Sequence, residues 1–259
     1  MARAVPIHGE ADIAMAREAA RLAADVLDMI TPHVVPGVTT EALDELCHAH
    51  IVNVQRVRPA NLGYHGYPKT ILTSVNHVVC HGIPSARHTL KAGDIVNIDV
   101  AVQREGWFGD TSRMYIVGEV SPLAKRLVDT AHEALQAGIA QVRPGATLGD
   151  VGHAIQSVAR RERFSVVREY CGHGIGRIYH DAPEVLHHGQ RGQGLRLEAG
   201  MIFTIEPMIN AGRADVMEQK DGWTVVTRDR SLSAQWEHMV AVTPNGCEVL
   251  TLGERDRAA

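Results

Sequence analysis

The sequence predicts an α+β fold made of two copies of one pattern, and three observations carry that prediction. Lys91 to Asp99 (KAGDIVNID) lies on Glu198 to Glu206 (EAGMIFTIE) at an offset of 107, with Ala, Gly, Ile and Ile in register and a carboxylate closing each segment. Pro36-Gly37-Val38-Thr39 matches Pro144-Gly145-Ala146-Thr147 at an offset of 108. Helical and strand-like patterns are segregated within each copy, which is the order of an α+β protein and not of a doubly wound sheet. Two matches at nearly one offset point to duplication. The halves run from about 10 to 118 and from about 122 to 252, inside one domain covering 1–259.

Each element follows from its pattern. Residues 10–32 carry Ile13, Ala16, Ala20, Ala23, Leu27 and Ile30 at helical spacing. Pro36-Gly37 stops that helix, and Thr39 or Thr40 can cap the next. Residues 122–142 and 147–161 repeat the helix, Pro-Gly, helix order. Strand-like runs follow each helix pair, at Ile95–Val102 and Met114–Val117, then at Met201–Ile209, Trp223–Thr227 and His238–Val242. These elements predict one curved antiparallel sheet backed by helices, with pseudo-two-fold symmetry and a cleft at the seam.

Composition narrows the function. Aromatic residues make up only 4%, so Leu, Ile, Val and Ala must fill the core. A net charge of −4 lacks the basic excess of a protein whose main partner is nucleic acid. Four scattered cysteines without a CxxC fit a reducing compartment. Neither a leader pattern nor a membrane-length apolar run is visible, so the expected location is the cytoplasm.

Carboxylates stand where strands should be apolar. Asp99 lies in Ile-Val-Asn-Ile-Asp-Val-Ala-Val, and a charge in such a run needs a partner. A hairpin centred between Arg104 and Glu105 would set Asp99 opposite Asp110, with Cβ atoms ~4.5–5.5 Å apart. Two carboxylates that close repel unless a cation or a shared proton lies between them. Taken alone, Asp110 reads equally well as a turn cap before Thr111 and Ser112. Glu206 precedes Pro207 in a second apolar strand, and Glu237 opens a third; each alone could be a strand-end charge.

Among fifteen histidines, His173 is set apart by Gly172, Gly174 and Gly176. Glycines let backbone and ligand approach closely, and a neutral imidazole can ligate a metal. His180 follows seven residues later, and Cys80-His81-Gly82 is a local echo in the first half. The GxGxG spacing does not match a dinucleotide site, and HExxH is absent. His187-His188 reads as a solvated pair.

Taken together, His81 in VCHGIP, Asp99 in NIDV, Asp110 in GDTS, His173 in GHGIG, Glu206 in TIEP and Glu237 in QWEH resemble the type I methionine aminopeptidases, over residues 7 to 252. The resemblance implies the duplicated pita-bread fold, as one catalytic domain. It implies two divalent ions, of Mn, Fe(II), Co or Zn, held by Asp99, Asp110, His173, Glu206 and Glu237, with Asp110 and Glu237 bridging. It implies catalytic roles for His81, His180 and Glu206, the last as general base, and a methionine pocket of Tyr64, His65, Tyr67, Leu72, Tyr179 and Trp223. The implied activity is removal of the initiator methionine before a small second residue. The implied partners are nascent peptide N-termini at the ribosome, met by a monomer with no membrane and no nucleic-acid substrate.

The chain shows neither the zinc-finger extension nor the second-half insertion of other members, and resembles the short bacterial form. It departs from some relatives at Asn61 and Leu72, where Cys is common, at Tyr179, where Phe is common, and at Trp236, where Tyr is familiar. An X-Pro aminopeptidase of the same fold is a close alternative, although about 90 residues before Asp99 leave little room for its extra domain. A non-enzymatic pita-bread binding protein is another, although such proteins lose ligands.

Overall fold

A computed structural model describes residues 4–254; the two ends of the 1–259 span lie outside the described residues. Among the described residues four α-helices are spaced as the duplication requires: α1 (Glu10–Ile30), α2 (Thr40–Ala49), α3 (Pro122–Ile139) and α4 (Leu148–Arg161). The Pro-Gly turn is built the same way twice. Gly37 and Gly145 take left-handed φ values of 96° and 85°, which glycine adopts without penalty. Their amides donate to the carbonyls of Leu90 and Leu197 at 2.8 and 2.9 Å. Thr39, not Thr40, then caps α2 by accepting from the Ala42 amide, and Thr147 caps α4 with a reciprocal bond from Asp150.

The central strand of each half carries the duplicated carboxylate segment. Ile95–Arg104 is paired antiparallel with Ile71–Val75 on one side and with Trp107–Ile116 on the other. In the second half, Ile202–Ile205 is flanked by Gly172–Gly174 and His238–Thr243. Glu206 follows at once, and Pro207 breaks the strand before it resumes at Met208–Asn210. Among the described residues the strands fall into four hydrogen-bonded sheets. The halves join where Ser112 bridges Glu237, with the Glu237 amide donating to the Ser112 carbonyl at 3.2 Å. The Thr111 hydroxyl adds a 2.7 Å bond to the Glu237 carbonyl.

Alternation along Ile95–Arg104 divides the labour. Val96, Ile98, Val100 and Val102 pack with Leu27, Ile30, Leu43 and Ile71 in one core cluster, while Asn97 and Asp99 take the opposite face. A second cluster packs Leu127, Leu135 and Ile155 against Phe203, Ile205 and Val240. The low aromatic content is met by small residues. Ala16, Ala19, Ala20 and Ala23 are fully buried on α1, which lies so close to Trp107–Ile116 that a Cβ on Gly109 would run into the Ala19 backbone.

The hairpin between the two long strands corrects one expectation. Its turn is Glu105-Gly106, both with positive φ, as a two-residue connection favours. Asp99 therefore faces Ser112, and Asp110 faces Ala101, so the two acids are diagonal neighbours and not opposed. The slip is by two residues, so both stay on one face of the sheet.

Candidate metal centre

The strands deliver their charged groups to a single cavity of about 310 Å³. Its lining holds Asp99, Asp110, His173, Glu206, Glu237, His81, His180, Tyr64, His65, Tyr67, Leu72, Tyr179 and Trp223, and adds Asn61. The sequence-selected residues are thus brought together. Asp110, His173 and Glu237 each place a ligating atom within 4.8 Å of the other two. His173 Nε2 lies 3.5 Å from Asp110 Oδ2 and 3.7 Å from Glu206 Oε1. Its Nδ1 is 3.0 Å from the Gly174 carbonyl, so that nitrogen carries the proton and Nε2 faces the acids.

Glycine makes this placement possible. Gly174 pairs with Asp181 across a bulge, and a Cβ there would collide with the Ala182 carbonyl. Gly172 packs as tightly on the Thr204 carbonyl. Thr204 is two residues before Glu206, on the same face; its hydroxyl donates to Glu206 Oε1 at 2.9 Å and accepts from the His173 amide at 3.0 Å. Gln235 Nε2 reaches Glu206 Oε2 at 3.3 Å.

The electrostatics call for a cation. Burial, reinforced by Asp110 and Glu206, raises Asp99 well above the usual carboxylate range. Burial and then Asp110, Glu206 and Asp99 do the same for Glu237. Burial pushes Glu206 up to about 7 against the opposing pull of His173. Asp99 Oδ1 and Asp110 Oδ1 are buried oxygens with no hydrogen-bond partner. Orphaned carboxylate oxygens of this kind, beside an imidazole, form a donor set that fits divalent ions taking oxygen and nitrogen ligands.

The remaining residues build a wall beside the acids. His81 follows Val78–Cys80 in a left-handed conformation, φ 58°, rare for a side chain and concentrated at functional positions. Burial holds His81 down to about 4, and its ring meets Tyr170 and Trp223 edge-on. The His180 ring lies 4.1 Å from that of His173, tilted by 57°, and its Nδ1 lies 2.7 Å from the Tyr64 hydroxyl. Burial, then His173 and His81, lower its ring to about 3.

One histidine was misread. His187 is 1% exposed, and its Nε2 accepts from the Glu206 amide at 3.1 Å. Only its neighbour His188 is partly open to solvent. Val185 is buried and Leu186 is 41% exposed, so the alternation of the strand Asp181–Val185, carried two residues further, was the available hint that His187 turns inward.

The fold and this donor set define a class. The chain belongs to metallopeptidase family M24, whose model matches residues 14–244. Among relatives, methionine aminopeptidase from Rickettsia prowazekii is 55% identical over 97% of this chain and 96% of its own. The Escherichia coli (strain K12) methionine aminopeptidase is 54% identical over 98% of this chain and 96% of its own. The crystal structure of methionine aminopeptidase from Rickettsia prowazekii superposes with a TM-score of 0.94 at 56% identity, covering 96% of this chain and all of that one.

Proposed function

We propose that the chain, acting as one catalytic domain, removes the N-terminal methionine of nascent polypeptides by metal-dependent hydrolysis. The observation that carries this reading is the convergence of four carboxylates and one imidazole in one cavity of about 310 Å³ whose remaining wall is largely aromatic. Asp99, Asp110, His173, Glu206 and Glu237 would hold two divalent ions, with Asp110 and Glu237 shared between them. Such ions supply Lewis acidity and a nucleophile available at neutral pH.

The protein's own groups do the rest. Glu206, hydrogen-bonded at both oxygens, would accept a proton and return it to the leaving amine. His180 sits beside His173 with its Nδ1 engaged by Tyr64, leaving Nε2 for the substrate carbonyl. His81, kept neutral by burial and lining the same cavity, would contact the scissile amide or the leaving amine. Tyr67, 5.0 Å from Trp223, forms the pocket with Tyr64, His65, Leu72 and Tyr179, a lining that suits an unbranched thioether. The reading extends to a monomer working in the cytoplasm on chains emerging from the ribosome. No helix among the described residues is long and apolar enough to cross a membrane.

The test is metal-stripped protein titrated anaerobically with Mn(II), Fe(II), Co(II) or Zn(II) and given the peptide Met-Ala-Ser. Free methionine is expected with at least one metal, and none from the N-acetylated peptide. Absence of release with all four metals would overturn the activity; cleavage of X-Pro peptides in its place would move the chain to the alternative substrate class.

A further inference from the structure

Two pocket residues that depart from the common pattern, Asn61 and Tyr179, meet each other. The Tyr179 hydroxyl donates to Asn61 Oδ1 at 2.6 Å, across 118 residues and from one half of the molecule to the other. Both side chains are buried. Asn61 is anchored in turn: its Nδ2 donates to the Thr70 carbonyl at 3.3 Å, and its own carbonyl accepts from the Tyr64 amide at 3.0 Å. Tyr179 is held on its face by Phe108, stacked at 5.2 Å and 4°, and on its edge by Tyr64 at 4.9 Å. The hydroxyl bond fixes the tip of the ring, the one part that stacking leaves free to tilt.

We infer that the Asn61–Tyr179 bond is the specificity-determining strut of the pocket for the substrate's first side chain. It holds the wall at a width that takes an unbranched apolar chain and refuses a branched one. The inference rests on the aminopeptidase reading above. The Tyr179 hydroxyl is spent on Asn61 Oδ1 and Asn61 Nδ2 on the Thr70 carbonyl, so the pocket presents ring carbon to a thioether although an amide lies behind it. Removing one partner frees the ring tip and leaves the other buried polar group unpaired. A misfit of one methyl group in such a pocket changes discrimination by about ten-fold or more.

The experiment compares kcat/KM for Met-Ala-Ser and Leu-Ala-Ser in the metal-loaded full chain and in Tyr179→Phe, Asn61→Leu and the double variant. Wild type is expected to prefer the methionine peptide. Each single substitution should lower the Met:Leu ratio about ten-fold, and the double should lose no more than the worse single, because one bond underlies both. Tyr179→Phe removes only one oxygen and keeps the fold, so it decides the matter if Asn61→Leu fails to fold. An unchanged ratio in Tyr179→Phe, or additive losses in the double, overturns the strut while leaving the activity standing. A wild type that releases no methionine with any metal overturns the activity and the strut with it.

Discussion

His187 holds Glu206 from the backbone side. Its Nε2 accepts the Glu206 amide proton, next to Pro207, where the strand hydrogen bonding is interrupted. Burial lowers this imidazole to about 3, which keeps it a neutral acceptor. His187→Phe would leave a buried amide unpaired, at a cost of about 1–3 kcal/mol. We expect a lower Tm and weaker metal binding by calorimetry; unchanged values for both would show that the bond is incidental. The same residue marks what a sequence does not disclose. Asp99, Asp110, Glu206 and Glu237 were legible as a set: Asp110, Glu206 and Glu237 taken singly read as a turn cap or strand-end charges, but four acids at or inside apolar strands, two of them at equivalent places in the repeat, are anomalous together. His187 and Asn61 are ordinary by type and position, and acquire a role only through contacts across 19 and 118 residues.

Elements show the same division between parity and register. Alternation places Asn97, Asp99 and Ala101 on one face whatever the turn does, so the shared face of Asp99 and Asp110 was legible. Their exact pairing depended on whether Gly106 entered the turn, a choice settled by positive φ at Glu105 and Gly106. Pro-Gly made the left-handed turn legible as a helix stop, but the cap of α2 stayed open between Thr39 and Thr40 until the bond from the Ala42 amide chose Thr39. The short strand Gly172–Gly174 was missed altogether, since glycine has poor strand propensity. It is held by packing: Gly174 has no room for a Cβ beneath the Ala182 carbonyl. Gly174→Ala should therefore push His173 out of line with Asp110. The expected result is loss of metal stoichiometry with helical circular dichroism retained; a fully metal-loaded variant would refute this account of the glycine.

At the scale of the whole molecule, the seam between the copies is where stability and chemistry conflict. Core clusters from both halves flank a cavity in which burial, and then the neighbouring carboxylates, raise the proton affinity of Asp99, Glu206 and Glu237. Without a cation, that cluster opposes closure of the seam at neutral pH, because buried like charges are costly. Ions that bind only the folded chain reverse the effect by mass action, about 2.7 kcal/mol at a hundred-fold excess over Kd. For a chain of this size that corresponds to a rise in Tm of roughly 5–10 °C. Chelation should lower Tm and Mn(II) should restore it. Glu237→Gln separates repulsion from a general effect of metal on the surface. It removes one charge from the cluster, so its metal-free form should melt above metal-free wild type, while added Mn(II) should raise its Tm less. If the metal-free Tm of Glu237→Gln falls below that of metal-free wild type, mutual repulsion is not what strains the seam, and the paired carboxylates must be sharing protons instead.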